Sequence, residues 1–302
     1  MHPQTGMALT EDFQRSADSP PVKEVDPSLI RRIPTGVADL DSIVQGGFPS
    51  GSTVLLWGDV GAGMQEFVYT SASKLALARA QPQARHYWLG EACNGSYLPD
   101  KICYVTFARS RDVVLQELAT SFNRDFFYAF RESTVFKDFS SAYFKNTVIP
   151  STWTHQESPF ESKAPNILED LIDFLDQNGR DSVIIVDSLT DLVETEVVEI
   201  KDLVATLKGL QRASKTWDGI LYLMLARGIL DRKYEQMIID SVDGCLVFEW
   251  KNYLTSSKRQ RYMYVEKFIS VLPHLQREKI ARFPTMVSYN HGLVVVYMER
   301  IS

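Results

Sequence analysis

Four short apolar runs constrain the fold of this chain more than any other feature. They are STVLLW (52–57), KICYVTF (101–107), SVIIVD (182–187) and ILYLML (220–225). Each is too short for a buried helix and shows no polar alternation, so each predicts a strand covered on both faces. Helical patterns lie between them, over 67–80, 112–122, 167–175 and 200–214. Buried strands alternating with helices predict an α/β fold with a mostly parallel central sheet flanked by helices. The end of the chain differs. CLVFEW (245–250), RYMYVEKF (261–268) and GLVVVYM (292–298) crowd together with little helix between them. They predict extra C-terminal β-strands that finish the sheet in antiparallel or mixed pairing.

The chain has 302 residues, 45% of them hydrophobic, enough for one large core. Residues 1–28 are polar, with three prolines before Asp26 and no apolar segment, and are expected to form a flexible N-terminal tail rather than a secretory signal. Residues 29–302 are expected to form a single domain, since no internal repeat is visible. Net charge is −6, so a nucleic-acid surface is not favoured. No run reaches the roughly 18 apolar residues of a membrane span, and the expectation is a cytoplasmic protein. Cys93, Cys103 and Cys245 are far apart and read as buried thiols. The five histidines are scattered, and no metal site is expected. Residues 122–165 are aromatic-rich without a clean period. Core or interface packing is favoured over a base-stacking platform there, because no run of Lys and Arg accompanies the rings. Residues 85–99 read as an inserted loop or hairpin.

After the first strand comes GDVGAGMQEF (58–67). Gly58, Gly61 and Gly63 have the spacing of a phosphate-binding loop between a strand and a helix. There, glycines let backbone N–H groups turn inward around phosphates. Where such a loop carries a lysine and a hydroxyl, this one has Met64 and Gln65. Asp187 ends the third strand, where an acid can hold the shell of a magnesium ion. The alternative is a cap on the next helix, and the metal-shell position is favoured over it.

The segment IPTGVADLDSIVQGGFPSG (33–51), followed by this loop, resembles the opening of the KaiC/RadA-like branch of RecA-type ATPases, of archaeal type. YVTF (104–107), VDSLTDL (186–192), DGCLVFEW (243–250) and EKF (266–268) resemble its later strands in the same order. The resemblance runs from about residue 30 to 300 and implies a RecA-like P-loop fold. It also implies that Gly58, Gly61, Gly63, Met64, Gln65 and Asp187 form a degenerate nucleotide site. ATP or ADP would be held there weakly or not at all, with no catalytic residue and no metal ligand.

The departures cover separate parts of phosphoryl-transfer chemistry. Met64 has no charge to replace the lysine, a loss of about 1.5–3 kcal/mol. Ala108 and Arg109 stand where the family has a glutamate pair that orients water, and no carboxylate is evident for that work. Lys267 matches the first residue of a basic pair reaching a neighbouring subunit, but Ile269 replaces its arginine. Arg109 either restores positive charge or makes a structural ion pair, the latter being favoured. The resulting expectation is a catalytically inactive or strongly impaired ATPase homologue. It would act as a regulatory or protein-interaction subunit on a protein partner, such as an active relative or a second copy. The alternatives are an active ATPase with a rewired site, in which Asp187 holds metal, and a DNA-binding accessory using Arg227, Arg232 and Lys233.

Overall fold

Strand β3 (Ser52–Gly58) is buried at every position. It lies mid-sheet, paired in parallel with β7 (Ile220–Ala226) on one edge and with β8 (Gly244–Asn252) on the other. The computed structural model describes residues 31–144, 149–150, 166–194, 198–252, 259–274 and 282–296. The expected tail, 1–28, lies outside the described residues, as does most of 145–165.

The remaining sheet strands are β4 (Lys101–Thr106), β5 (Thr134–Asp138), β6 (Ser182–Asp187), β9 (Arg259–Phe268), β10 (Phe283–Ser288) and β11 (Gly292–Val295). Among the described residues the sheet order is β11-β10-β9-β8-β3-β7-β6-β4-β5. Pairing is parallel from β8 to β5 and antiparallel from β8 to β11. The mostly parallel α/β sheet with C-terminal additions is therefore present. Strand β10 was not anticipated. Its sequence FPTMVS is mixed and contains Pro284, so it carries no apolar run to read.

Alternation along β3 feeds two cores. Val54 and Leu56 face one, with α1 (Ala38–Ile43), α2 (Met64–Ala80) and α5 (Arg124–Ser133). Leu55 and Trp57 face the other, with α7 (Ile167–Asn178), α8 (Leu189–Glu194), α9 (Ile200–Ser214) and α10 (Arg232–Asp240). Helices α3 (Arg85–Leu89), α4 (Arg111–Ser121) and α6 (Ser140–Phe144) complete the set. The 85–99 insertion is neither an open loop nor a hairpin, because α3 and a second short helical turn (Glu91–Cys93) occupy it. Arg85 ties it down by donating to the carbonyls of Cys93 and Ser96. In the described part of the aromatic stretch, Phe122, Phe126, Phe130 and Phe139 are buried, as core packing predicts, while Tyr128 is exposed. No described helix is long and apolar enough to cross a membrane.

The opening motif has a physical function of its own. Residues β1 (Arg32–Ile33) and β2 (Phe48–Pro49) pair antiparallel. Gly47 has φ +112, and a Cβ there would lie 2.0 Å from the Ile33 carbonyl oxygen, so the pair closes only with glycine. Asp41 is fully buried and accepts from the backbone N–H groups of Thr35 at 2.7 Å and Gly36 at 3.1 Å. Burial nevertheless raises its carboxyl to about 7. Beside it, Lys74 lies inside α2, a helix buried at every position from Phe67 to Ala78. Burial lowers its ammonium to about 8, against the attraction of Asp41 and Asp39.

A base with a depressed folded pKa contributes stability that is full above its unfolded value and lost as pH falls through the folded value. For Lys74 that window runs from pH 10.5 down to about 8. Lys74→Met removes the buried charge while keeping the packing. The variant is expected to exceed wild type by about 3 kcal/mol at pH 7 and to converge with it near pH 10.5. Urea unfolding of both proteins across pH 7–10.5 checks this, and a difference that stays constant with pH would contradict it.

Candidate functional site

The loop after β3 is held by both neighbouring strands. Arg227 N–H donates to the Gly58 carbonyl at 2.8 Å and Asp59 N–H to the Phe248 carbonyl at 2.9 Å. The Asp59 carboxylate accepts from Trp250 N–H at 3.0 Å. A Cβ on Gly58 would lie 2.3 Å from the Phe248 oxygen, so the strand end approaches β8 as only glycine permits. Gly61 and Gly63 have φ +73 and +122 and turn the chain into α2.

At the carboxyl ends of β3, β6 and β7 lies a cleft of about 340 Å³, the usual ligand position in such sheets. Gly61, Gly63, Met64, Gln65 and Asp187 line it together with Val60, Glu66, Arg109, Glu117 and Thr190. Five of the six residues singled out from the sequence are thus brought to one place. Gly58 stands just behind them.

The centre of the cleft is a side-chain network around Arg109. Its guanidinium pairs with Asp187 on β6 and with Glu117 on α4. It also donates to Gln65 Oε1 at 2.9 Å and to the Tyr104 hydroxyl at 3.3 Å. Gln65 Nε2 donates to Tyr104 at 2.9 Å, and Tyr104 donates to Asp187 Oδ2. Tyr104 therefore accepts twice and donates once, which satisfies a fully buried phenol. Tyr69 donates to Glu117 at 3.0 Å, completing the ring of partners.

Electrostatics follow from burial and pairing. Burial works to lower the Arg109 pKa, but the charge and hydrogen bond of its anionic partner Glu117 work against it, and the net shift is upward. Arg109 is a fixed cation. Burial raises the Tyr104 and Tyr69 hydroxyls, so both stay protonated as donors. At the mouth, Glu66 pairs with Arg261 at 3.2 Å, and Arg261 lies over the Trp250 ring at 5.0 Å.

A magnesium–phosphate group does not fit this arrangement. The Met64 side chain offers phosphate no donor. The Gln65 amide oxygen and Asp187 Oδ2, the nearest substitutes for metal-shell ligands, both accept from Arg109. Among the described residues no group of three or more His, Cys, Asp or Glu could hold a metal. The Lys267 ammonium, matched in sequence to a residue that reaches a neighbouring subunit, donates within its own chain to the carbonyls of Ile239, Asp240 and Val242 at the end of α10. Ile269 is 78% exposed.

Asp187 does not cap α8. That turn uses Asp191, whose carboxylate accepts from the Ser188 N–H at 3.1 Å and hydroxyl at 3.0 Å. No carboxylate directly follows the second strand in sequence, yet Glu117 and Glu66 line the cleft. They were missed because each sits on a helix whose facing is set only by packing.

These features define the class: a RecA-like P-loop fold of the KaiC type. In structure the chain is similar to a KaiC-like protein from the hyperthermophilic archaeon Pyrococcus horikoshii OT3, with a TM-score of 0.59 and 19% identity. That match covers 89% of this chain and 100% of the other. In sequence, 56 residues are 39% identical to the DNA repair protein RadA of Mycolicibacterium smegmatis. They amount to 18% of this chain and span 12% of the RadA length. No family profile matches the chain.

Breaking a buried ion pair by removing one partner leaves an uncompensated charge. Asp187→Ala and Arg109→Ala are each expected to cost about 3 kcal/mol. The double variant should cost less than their sum, with a coupling on the order of 1–3 kcal/mol. Urea unfolding of the four proteins measures it; strictly additive losses would show that the pair contributes nothing.

Proposed function

We propose that this chain is a catalytically inactive or strongly impaired KaiC/RadA-like ATPase homologue, one domain over residues 29–302, acting as a regulatory or protein-interaction subunit. One observation carries the reading. Arg109 bonds Gln65, Tyr104, Asp187 and Glu117 at once, across the region where a RecA-type site would hold metal and phosphate. The cleft has its own counterions, with Glu117 held by Arg109 and Glu66 by Arg261. ATP or ADP is held weakly or not at all, through the glycines of the loop.

Phosphoryl transfer depends on a phosphate clamp, a metal shell and an oriented water. Met64 removes the first. The pairing of Asp187 counts against the second. Glu117, the carboxylate nearest in kind to a water-orienting acid, is engaged by Arg109 and Tyr69. A protein partner, either an active relative or a second copy, is then the natural object of the retained fold.

Rapid-quench single-turnover hydrolysis with excess enzyme and magnesium-ATP tests this. Wild type is expected to release no phosphate above the buffer rate, and Asp187→Ala to behave identically. The combined variant Met64→Lys, Gln65→Thr, Ala108→Glu, Arg109→Glu shows whether the scaffold still supports turnover. Hydrolysis by wild type that disappears in Asp187→Ala refutes the proposal.

A further inference from the structure

Four oxygens from four separate elements converge on the Arg109 guanidinium: Gln65 Oε1 from α2, the Tyr104 hydroxyl from β4, Glu117 Oε2 from α4 and Asp187 Oδ2 from β6. Two are carboxylate oxygens and two are neutral. This is the donor chemistry that hard divalent cations select, in a cage too poorly charged to bind one tightly. We propose that Arg109 is a tethered cation: its guanidinium permanently fills an oxygen cage that takes a free divalent cation only when the arginine is gone.

The chemistry matches on both sides. A guanidinium carries five donors in a fixed fork and cannot be deprotonated, so it can replace a small ion by bonding several oxygens at once. Asp187 is only 6% exposed and would be left as an uncompensated buried acid without it. The tether starts at the β4–α4 connection, where the Thr106 hydroxyl donates to the Arg109 carbonyl at 2.9 Å and fixes the origin of the side chain. The cage therefore joins α2, β4, α4 and β6 without a diffusible ligand. The surface around the loop keeps one shape whatever the nucleotide or metal level. This inference deepens the proposed function and rests on its reading that the site holds no metal–nucleotide complex.

The experiment uses the full chain and manganese as the probe, read by electron paramagnetic resonance of the free ion and by thermal unfolding. Wild type is expected to leave manganese free and to unfold at the same temperature with manganese or chelator. Arg109→Ala should unfold on the order of 5–10 °C lower, bind one manganese with Kd on the order of 10⁻⁴ M, and recover part of the lost temperature on binding. Arg109→Ala combined with Asp187→Asn should lose that binding. Arg109→Lys, which keeps a tethered charge, should bind no manganese.

Wild-type binding that depends on Asp187 overturns the proposal. So does a folded Arg109→Ala that leaves manganese free, and so does an unfolded Arg109→Ala that manganese fails to rescue. Turnover of ATP by wild type in the single-turnover assay would remove the functional reading instead, and is scored separately from manganese binding by the variant.

Discussion

Everything at this site depends on the burial of β3. Its two faces are covered and its two edges are paired, so the backbone of Ser52–Gly58 is satisfied within the sheet and its connections rather than by water. Thr53, near its start, is satisfied internally. Thr53 N–H donates to Asp243 at 2.8 Å, and its hydroxyl meets that of Ser214 at 3.2 Å. A strand fixed so completely delivers the following loop to one place. The bonds from Arg227, Asp59 and Trp250 then hold the loop against β7 and β8. The sheet sets the loop geometry, and a bound phosphate is not needed to explain it.

That separates two questions that the glycine pattern alone merges. Gly58 is required by contact with Phe248, and Gly61 and Gly63 by their positive φ. A Cβ on Gly63 would also come within 3.0 Å of Leu293 Cδ1. Each glycine therefore has a reason to be glycine in the folded chain whether or not phosphate binds. Met64 and Gln65 are free of that backbone constraint, since both have ordinary helical positions at the start of α2. The chemistry of the site is read from those two positions and from Arg109, and the glycines report only the path of the chain.

Much of the fold was legible because β3, β4, β6 and β7 are buried on both faces, and such strands advertise themselves as unbroken apolar runs. The failures have physical causes too. Strand β10 is half-exposed and mixed in pattern. Helix α5 ends at Ser133 and β5 begins at Thr134, so a period of 3.6 becomes a period of 2 with no glycine or proline between them. Residues 85–99 read in sequence as an inserted loop or hairpin. The helical turns there are tied by Arg85, which reaches forward to carbonyls eight and eleven residues on. At the site, Gln65, Arg109 and Asp187 were visible as departures or matches along the chain. That they meet around Tyr104 was not visible, because the strand order brings β4 beside β6. The structural ion pair favoured for Arg109 is present, but its partners could not be named without that topology.

A site held together by a diffusible ligand and one held by its own arginine respond differently to their surroundings. Ligand binding stabilises a fold by an amount that grows with the logarithm of concentration, about 2.7 kcal/mol at a hundredfold excess over Kd. A nucleotide-held site therefore loosens and tightens with nucleotide supply, which is the basis of a switch. The Arg109 pairing has no concentration in it. Its cost is set by removing the guanidinium and Asp187 from water, and its return by a geometry that bonds the guanidinium to four oxygens at once. A chain that must present one constant surface to a partner gains from that exchange, and a chain that must sense nucleotide loses by it. Under the function proposed above, Met64, Gln65 and Arg109 serve the first requirement.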